Sequence, residues 1–488
     1  MRANKGRRRL GLVAGLITVV MSCILAAVVT GCGSVVTGVA SSGGADQADG
    51  AQAVSEGAAA GLFDGISVHE IAVTFSQDDY EEVLATYAES GEKDWMEVTV
   101  TIDGQTYQEV GLRLKGNSSI MSLREGGRAP AGIGGDISTD EPEGLPWLID
   151  LDKYADGQNH QGIVELAVRS NNSETALNEA VSLALLHEAG LASQQAAYVR
   201  FSVNGSASTL RLVIENPDDV WMSENFDSDG ALYKAESTGD YSYRGEDPDS
   251  YDEVFDQEAG KDNADLTPLV EFLDFLNNSD DATFTAELPD WLDIDAFATY
   301  LAIQELIANL DDIDGRGNNS YLYYDPDTAE FTVVAWDHNL TFGVTNGGGA
   351  FGGQDRDIGV RPGVEDFGRQ PDSTQSPDGT QSPDDMQPPE GAQRPGGRQL
   401  PGGQQLPDRM GTIAGSNMLV SRFLTNSEWQ QLYQSRLAEL RVELYESGRA
   451  AEILDAFVEV LKAQAADLVD PATVDEEAAS LAGYFRRD

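Results

Sequence analysis

Between Asp311 and Gly343 the chain reads Asp-Asp-Ile-Asp-Gly-Arg-Gly-Asn-Asn-Ser-Tyr-Leu-Tyr-Tyr-Asp, a turn, and then Phe-Thr-Val-Val-Ala-Trp-Asp-His-Asn-Leu-Thr-Phe-Gly. Carboxylates and an amide spaced in this way can hold a hard divalent cation by its oxygens, and one carboxylate can orient or deprotonate a hydroxyl. Asp314 and Asn319 stand five residues apart in a glycine-bearing loop, and Asp337 follows the last apolar run directly. Phosphoryl transfer asks the protein for little more than that.

Three elements must place these groups. Ser320 to Tyr324 and Phe331 to Trp336 alternate like paired strands, so a hairpin would return Asp337 to the loop carrying Asp314 and Asn319. Upstream, residues 295–309 read as a helix with Tyr300, Ile303, Ile307 and Leu310 on one face and Asp293 or Asp295 as N-cap, ending where the carboxylates begin. Protein kinases supply the same chemistry as Asp-x-x-x-x-Asn, a hairpin, and a metal-binding Asp beside Phe-Gly. Here Phe342-Gly343 follows Asp337 four residues late. A solvated acidic turn would contain the same residues. An EF-hand does not fit, because Asp312, Asp314 and Gly315 match its third, fifth and sixth positions while Leu310 and Tyr321 stand where carboxylates are required.

Met96 to Leu114 reads as a hairpin turning at Asp103-Gly104 and running into Lys115-Gly-Asn-Ser-Ser119. A glycine and hydroxyls after a strand can offer N–H groups and oxygens to phosphate, with Lys115 adding charge, so Lys115, Asn117 and Ser118 are nucleotide-contact candidates. The stretch is not a Walker A loop, since Asn117 follows Gly116, and a plain turn reads the same way. Leu148 to Leu151 and Ile163 to Val168 are strand candidates. Leu177 to Glu188 is a helix ended by Gly190, and residues 198–215 form a second hairpin at Asn204-Gly205. Glu215 closes an apolar strand and could pair a phosphate-binding Lys or reach solvent. Lys234, in Ala231-Leu-Tyr-Lys234, is a further nucleotide-contact candidate. Residues 122–144 and 240–265 read as loops, the second acidic and exposed.

Three blocks in order resemble the CotH family of kinase-like proteins: Val110-Gly-Leu-Arg-Leu-Lys-Gly-Asn-Ser-Ser119, the run from Asn171 through Val203-Asn-Gly205 to Glu215, and the Asp311–Gly343 stretch. The resemblance covers roughly residues 62–343 and resumes in the C-terminal helices. It implies an atypical secreted or surface-associated protein kinase, with Asp314 as catalytic base, Asn319 as a loop metal ligand and Asp337 as the principal magnesium ligand. Asp311 and Asp312 compete with Asp314 for the role of base. Where relatives tend to carry a Lys before an apolar strand, this chain has Leu145-Pro-Trp-Leu-Ile-Asp-Leu-Asp-Lys153. The phosphate-binding Lys must then come from elsewhere, or activity is reduced or absent.

Residues 1–31 read as a targeting segment. Arg2, Lys5 and Arg7 to Arg9 precede an apolar run from Leu10 to Val29, and Val29-Thr-Gly-Cys32 has the small-residue pattern before a lipidated cysteine; a plain membrane anchor is the alternative. Only Cys23 and Cys32 occur, so the mature protein would have neither disulfide nor free thiol. The formal net charge is -52, and -57 once the five basic residues of that segment are removed. A surface this acidic disfavours nucleic acid and anionic lipid. Residues 32–61 read as a flexible tether and 345–412 as a Gly/Pro/Gln-rich disordered insertion. Helices at 417–426, 428–447 and 450–468 would complete the fold. His338 lies beside Asp337, but no spacing suggests a hydrolase triad or a zinc site.

The expected fold is α+β: an atypical protein-kinase-like, two-lobed arrangement with an antiparallel β N-lobe, a helical C-lobe, and a nucleotide cleft between them. Residues 62–344 would hold the kinase-like domain and 413–488 the closing helices. The expected function is ATP- and Mg2+-dependent phosphorylation of Ser or Thr on a cell-surface protein by an extracytoplasmic enzyme held to the membrane by lipid. The alternatives are a catalytically silent, surface-anchored assembly module and a cation-binding lipoprotein.

Overall fold

In the computed structural model the described residues are 61–124, 137–261, 264–315, 317–344 and 417–486. The targeting segment with Cys32, nearly all of the tether, the core of the 122–144 loop and the 345–412 insertion lie outside them. The chain is α+β, with its elements in the order β1 (Val68–Thr74), α1 (Gln77–Ser90), β2 (Met96–Ile102), β3 (Gln105–Leu114), β4 (Trp147–Asp150), β5 (Glu165–Val168), α2 (Leu177–Glu188), β6 (Ala196–Val203) and β7 (Thr209–Glu215). There follow α3 (Asp219–Asn225), β8 (Ala231–Ala235), β9 (Phe255–Ala259), α4 (Thr267–Asn278), α5 (Asp281–Glu287), α6 (Ile294–Leu306), β10 (Ser320–Asp325), β11 (Glu330–Ala335), α7 (Met418–Thr425), α8 (Ser427–Leu440), α9 (Arg449–Gln464) and α10 (Pro471–Tyr484).

The first seven strands close into a barrel in the order β1-β2-β3-β4-β5-β7-β6. The β2–β3 hairpin turns at Asp103 (φ 47°) and Gly104 (φ 82°), the positive-φ pair of a two-residue hairpin, and pairs Ile102 with Gln105. Val100, Ile102, Leu112, Leu114, Trp147, Ile149, Leu166, Val199 and Phe201 fill the interior. Helix α1 covers one flank with Tyr80, Val83 and Tyr87, and Tyr80 stacks on Phe75.

The β lobe expected to be antiparallel is a closed barrel with one parallel pair. β1 pairs parallel with β6, Val68 opposite Tyr198, and so joins the two ends of the sheet. Alternation in Val68–Phe75 marks a half-buried strand but says nothing about a partner some 130 residues away. Closing the ring leaves no unpaired edge.

A second, antiparallel sheet runs β11-β10-β8-β9. Strand β9 lies inside the stretch read as an exposed acidic loop. Phe255, Gln257 and Ala259 are buried while Asp256 and Glu258 alternate with them, so the period of two was hidden by polar residues on both faces. Helix α6, capped by the Asp293 carboxylate on the Ala296 amide, crosses the centre of the larger core. The C-terminal helices cover it. α8 continues as a π-helical stretch over Arg441–Glu446, and α10, which the sequence reading lacked, completes the layer.

Candidate active site

Helix α6 delivers the acidic loop, and the β10–β11 hairpin, with Ser320 opposite Ala335, brings Asp337 back beside it. Asp337 (φ 63°) and Asn319 (φ 59°) both sit in the left-handed region, which non-glycine residues occupy at a cost. The segment after Asp337 is held from three directions. Asn178 Nδ2 of α2 donates to the Asn339 carbonyl (2.8 Å), the Phe342 amide donates to the Ile307 carbonyl (2.9 Å), and the Leu310 amide donates to the Leu340 carbonyl (3.3 Å). Buried His338 lies 3.2 Å from Gln304 Nε2, and desolvation holds its pKa down at about 4, so it stays neutral at ordinary pH. Phe342 is buried against Tyr484 and Phe485.

Within the loop, Asp311 is brought into the field of Asp337. Its carboxyl is pushed up by desolvation and by the charge of Asp337, with Asn319 partly opposing the shift. Asn319 Nδ2 also donates to the Asp311 carbonyl (3.0 Å). Asp312 accepts from the Asp314 amide (3.0 Å), so those two shape the turn itself. Spacing to Asn319 points to Asp314, while the charge of Asp337 and the Asn319 amide both reach Asp311.

Behind Asp337 lies a pair that sequence reasoning missed. Arg169, just beyond β5, places Nη2 on Asp337 Oδ1 and Nε 2.8 Å from Glu179 Oε1 of α2. Glu179 is 2% exposed. An Arg ending the apolar run Leu166-Ala-Val and a Glu inside an otherwise apolar helix were the available signals, since isolated buried charges are costly.

Cations gather around Lys234 of β8. Lys115, just after β3, donates to Asn216 Oδ1 (2.7 Å) and sits 5.1 Å from the Trp336 ring centre. Among the described residues no carboxylate lies within ion-pairing distance of it. Its pKa falls to about 7 through desolvation and repulsion from Lys234 and Arg113, against the pull of Glu258 and Glu165. Lys93 donates to Asn117 Oδ1 (2.9 Å), and its pKa falls to about 8 by desolvation and the charges of Lys234 and Arg113. Lys234 is neutralised by Glu236 (3.1 Å) and by Glu258 (3.6 Å) of the overlooked strand β9. Ser118 opens an exposed helical turn beside Lys115. Tyr321, opposite Lys234 in the sheet and edge-on to Trp336, buries its hydroxyl without a hydrogen-bond partner. Glu215 is placed differently from the expected Lys partner. Its carboxylate accepts from the backbone and side-chain amides of Gln195 (2.7 and 3.1 Å), and burial raises its pKa to about 7.

These residues fit a magnesium nucleotide. An amine without a counter-ion and a buried hydroxyl without an acceptor are what a phosphate would satisfy. Magnesium is commonly held by one or two carboxylates plus phosphate oxygens, and Asp337 and Asn319 are of the type that would hold it. Among the described residues no cluster of three His, Cys, Asp or Glu offers an all-protein metal cage. Two surface clefts, of about 420 Å³ beside Trp291 and about 700 Å³ beside Phe226 and Tyr324, are lined by none of these residues.

A family model described as CotH kinase protein matches residues 112–470, well over half of the chain. A curated relative, the inner spore coat protein H of Bacillus subtilis (strain 168), is 25% identical over 168 residues, which is 33% of this chain and 45% of that protein. The chain thus spans less than half the length of that relative.

Proposed function

Because the chain belongs to the CotH kinase family, we propose that it transfers the γ-phosphate of ATP to Ser or Thr hydroxyls of a protein at the cell surface. One observation carries this. In a chain of net charge -52, three of only seven lysines are brought together, Lys93 and Lys115 around Lys234, and Lys115 lies against the ring of Trp336, the residue before Asp337. Like charges are brought together at a cost that an anionic ligand would offset.

In this reading Lys115 and Lys234 bind the polyphosphate, with Asn117 and Ser118 at the rim and Tyr321 donating from beneath. Asp337 and Asn319 would hold magnesium, which when bound neutralises charge developing on the phosphates. Asp311 accepts the substrate hydroxyl proton in preference to Asp314 or Asp312. Glu215 has no direct part. The barrel then contributes Lys115, Asn117 and Ser118 from the segment after β3, and the second sheet contributes Lys234, Tyr321 and the hairpin that leads to Asp337. Cys32 would tether the domain by lipid outside the cytoplasmic membrane, and no nucleic acid partner is expected.

A second reading is a catalytically silent assembly module. Arg169 already occupies one oxygen of Asp337, and the Bacillus subtilis relative is named as a spore coat protein. Calorimetric titration of ATP into the full-length protein, with and without magnesium and beside Asp337→Asn, separates the two. Magnesium-dependent binding lost in the variant is the expected result. No binding in the wild-type protein would overturn the enzyme and leave the assembly module.

A further inference from the structure

A chain of charges, Glu179, Arg169 and Asp337, runs from the core to the candidate metal ligand. Glu179 is buried on α2 and cannot remain ionised without a partner. Arg169 is that partner, and it is fixed on every side. Its guanidinium meets Glu179 through Nε and Asp337 through Nη2, its Cζ lies 5.7 Å from the Trp336 ring centre, and its carbonyl accepts from Arg211 Nε (2.9 Å). A guanidinium is not deprotonated in proteins. The side chain therefore keeps its charge at all ordinary pH values.

A cation approaching Asp337 meets this fixed positive charge in direct contact with one carboxylate oxygen, and Glu179 meets the same guanidinium through Nε. Polyphosphate delivers the compensating negative charge; a bare cation does not. We infer that Arg169, anchored by Glu179, is a positioning residue that commits one oxygen of Asp337 and makes the site select a divalent cation carried by polyphosphate over the bare ion. This rests on the proposal that Asp337 faces the metal.

The test compares full-length wild-type protein with the double variant Arg169→Met/Glu179→Gln, which removes the buried pair together and leaves no orphaned charge. Bare Mn2+ is titrated first, followed by ATP with and without Mg2+. Bare Mn2+ should bind the double variant about tenfold tighter or more, and Glu179→Gln alone, which keeps the guanidinium, should not gain. Unchanged or weaker Mn2+ binding by the folded double variant would overturn the inference. If the double variant does not fold, Arg169→Lys, which keeps a charge for Glu179 but loses the fork, should show a smaller gain, and its absence would overturn the inference equally. Failure of wild-type protein to bind ATP would instead sink the kinase proposal, while the Mn2+ comparison still reports on Arg169.

Discussion

Replacing Lys115 by Met should change how stability depends on pH. In the unfolded chain the amine titrates near 10.5, whereas in the folded empty site desolvation and the charges of Lys234 and Arg113 bring it to about 7. Between those values the unfolded chain holds a proton that the folded chain has released, so the wild-type protein gains stability as pH rises through that window. Below pH 7 both states are protonated and the penalty for burying the charge is present in full; above 10.5 it is gone. At about 1.4 kcal/mol per pKa unit the whole shift corresponds to about 5 kcal/mol. Water reaches part of the side chain and Lys234 shares its field, so about half of this, roughly 2–3 kcal/mol, is expected. Loss of the donor to Asn216 adds about 1–3 kcal/mol against the variant, independent of pH. Urea unfolding of both proteins at several pH values from 6.5 to 10 isolates the pH-dependent part. The stability difference should move in favour of wild type by the stated amount. Parallel profiles, diverging by less than about 0.5 kcal/mol, would refute a buried amine with no counter-ion.

Asp311→Asn should lower transfer of labelled phosphate at saturating ATP by about 10²–10⁴, and Asp314→Asn by much less; the reverse order would restore the spacing-based assignment. Glu477→Ala should lower the unfolding free energy by roughly 2–4 kcal/mol, measured with denaturant, because its carboxylate accepts from Ser173 Oγ (2.8 Å), the Glu174 and Thr175 amides (3.0 and 3.2 Å) and the Thr175 hydroxyl. Gly343→Ala should cost roughly 1–3 kcal/mol in the same assay, since φ is 75° and an added Cβ would overlap the Tyr484 hydroxyl. Tyr484→Phe in that background should relieve the overlap alone and recover only part of the loss.

What the sequence made legible was local. Asp103-Gly104 specifies its turn by backbone chemistry, the Asp293 cap starts α6, and the alternation in residues 320–336 sets a hairpin whose register follows from its own side chains. What stayed hidden depends on partners distant in the chain. The barrel closes through β1 and β6, Lys234 is matched by Glu258 from a strand disguised by acids, and Arg169 finds both its partners only in three dimensions. Among Asp311, Asp312 and Asp314, spacing to Asn319 points to Asp314, whereas the influence of Asp337 on the Asp311 carboxyl depends on how the turn is wound and is invisible to residue counting.

The clasp of α10 also bears on the order in which the protein can mature. Glu477 grips residues some 300 positions earlier, and Tyr484 and Phe485 close over Phe342, next to the segment bearing Asp337. Such contacts close long loops, and their entropy must be spent before they return any stabilisation. While the chain is being made, the barrel strands through Glu215 can pair from local hairpins, but the lid on Phe342-Gly343 must wait for the last helix. A chain emerging from its site of synthesis or export therefore carries an unfinished site until α10 has docked.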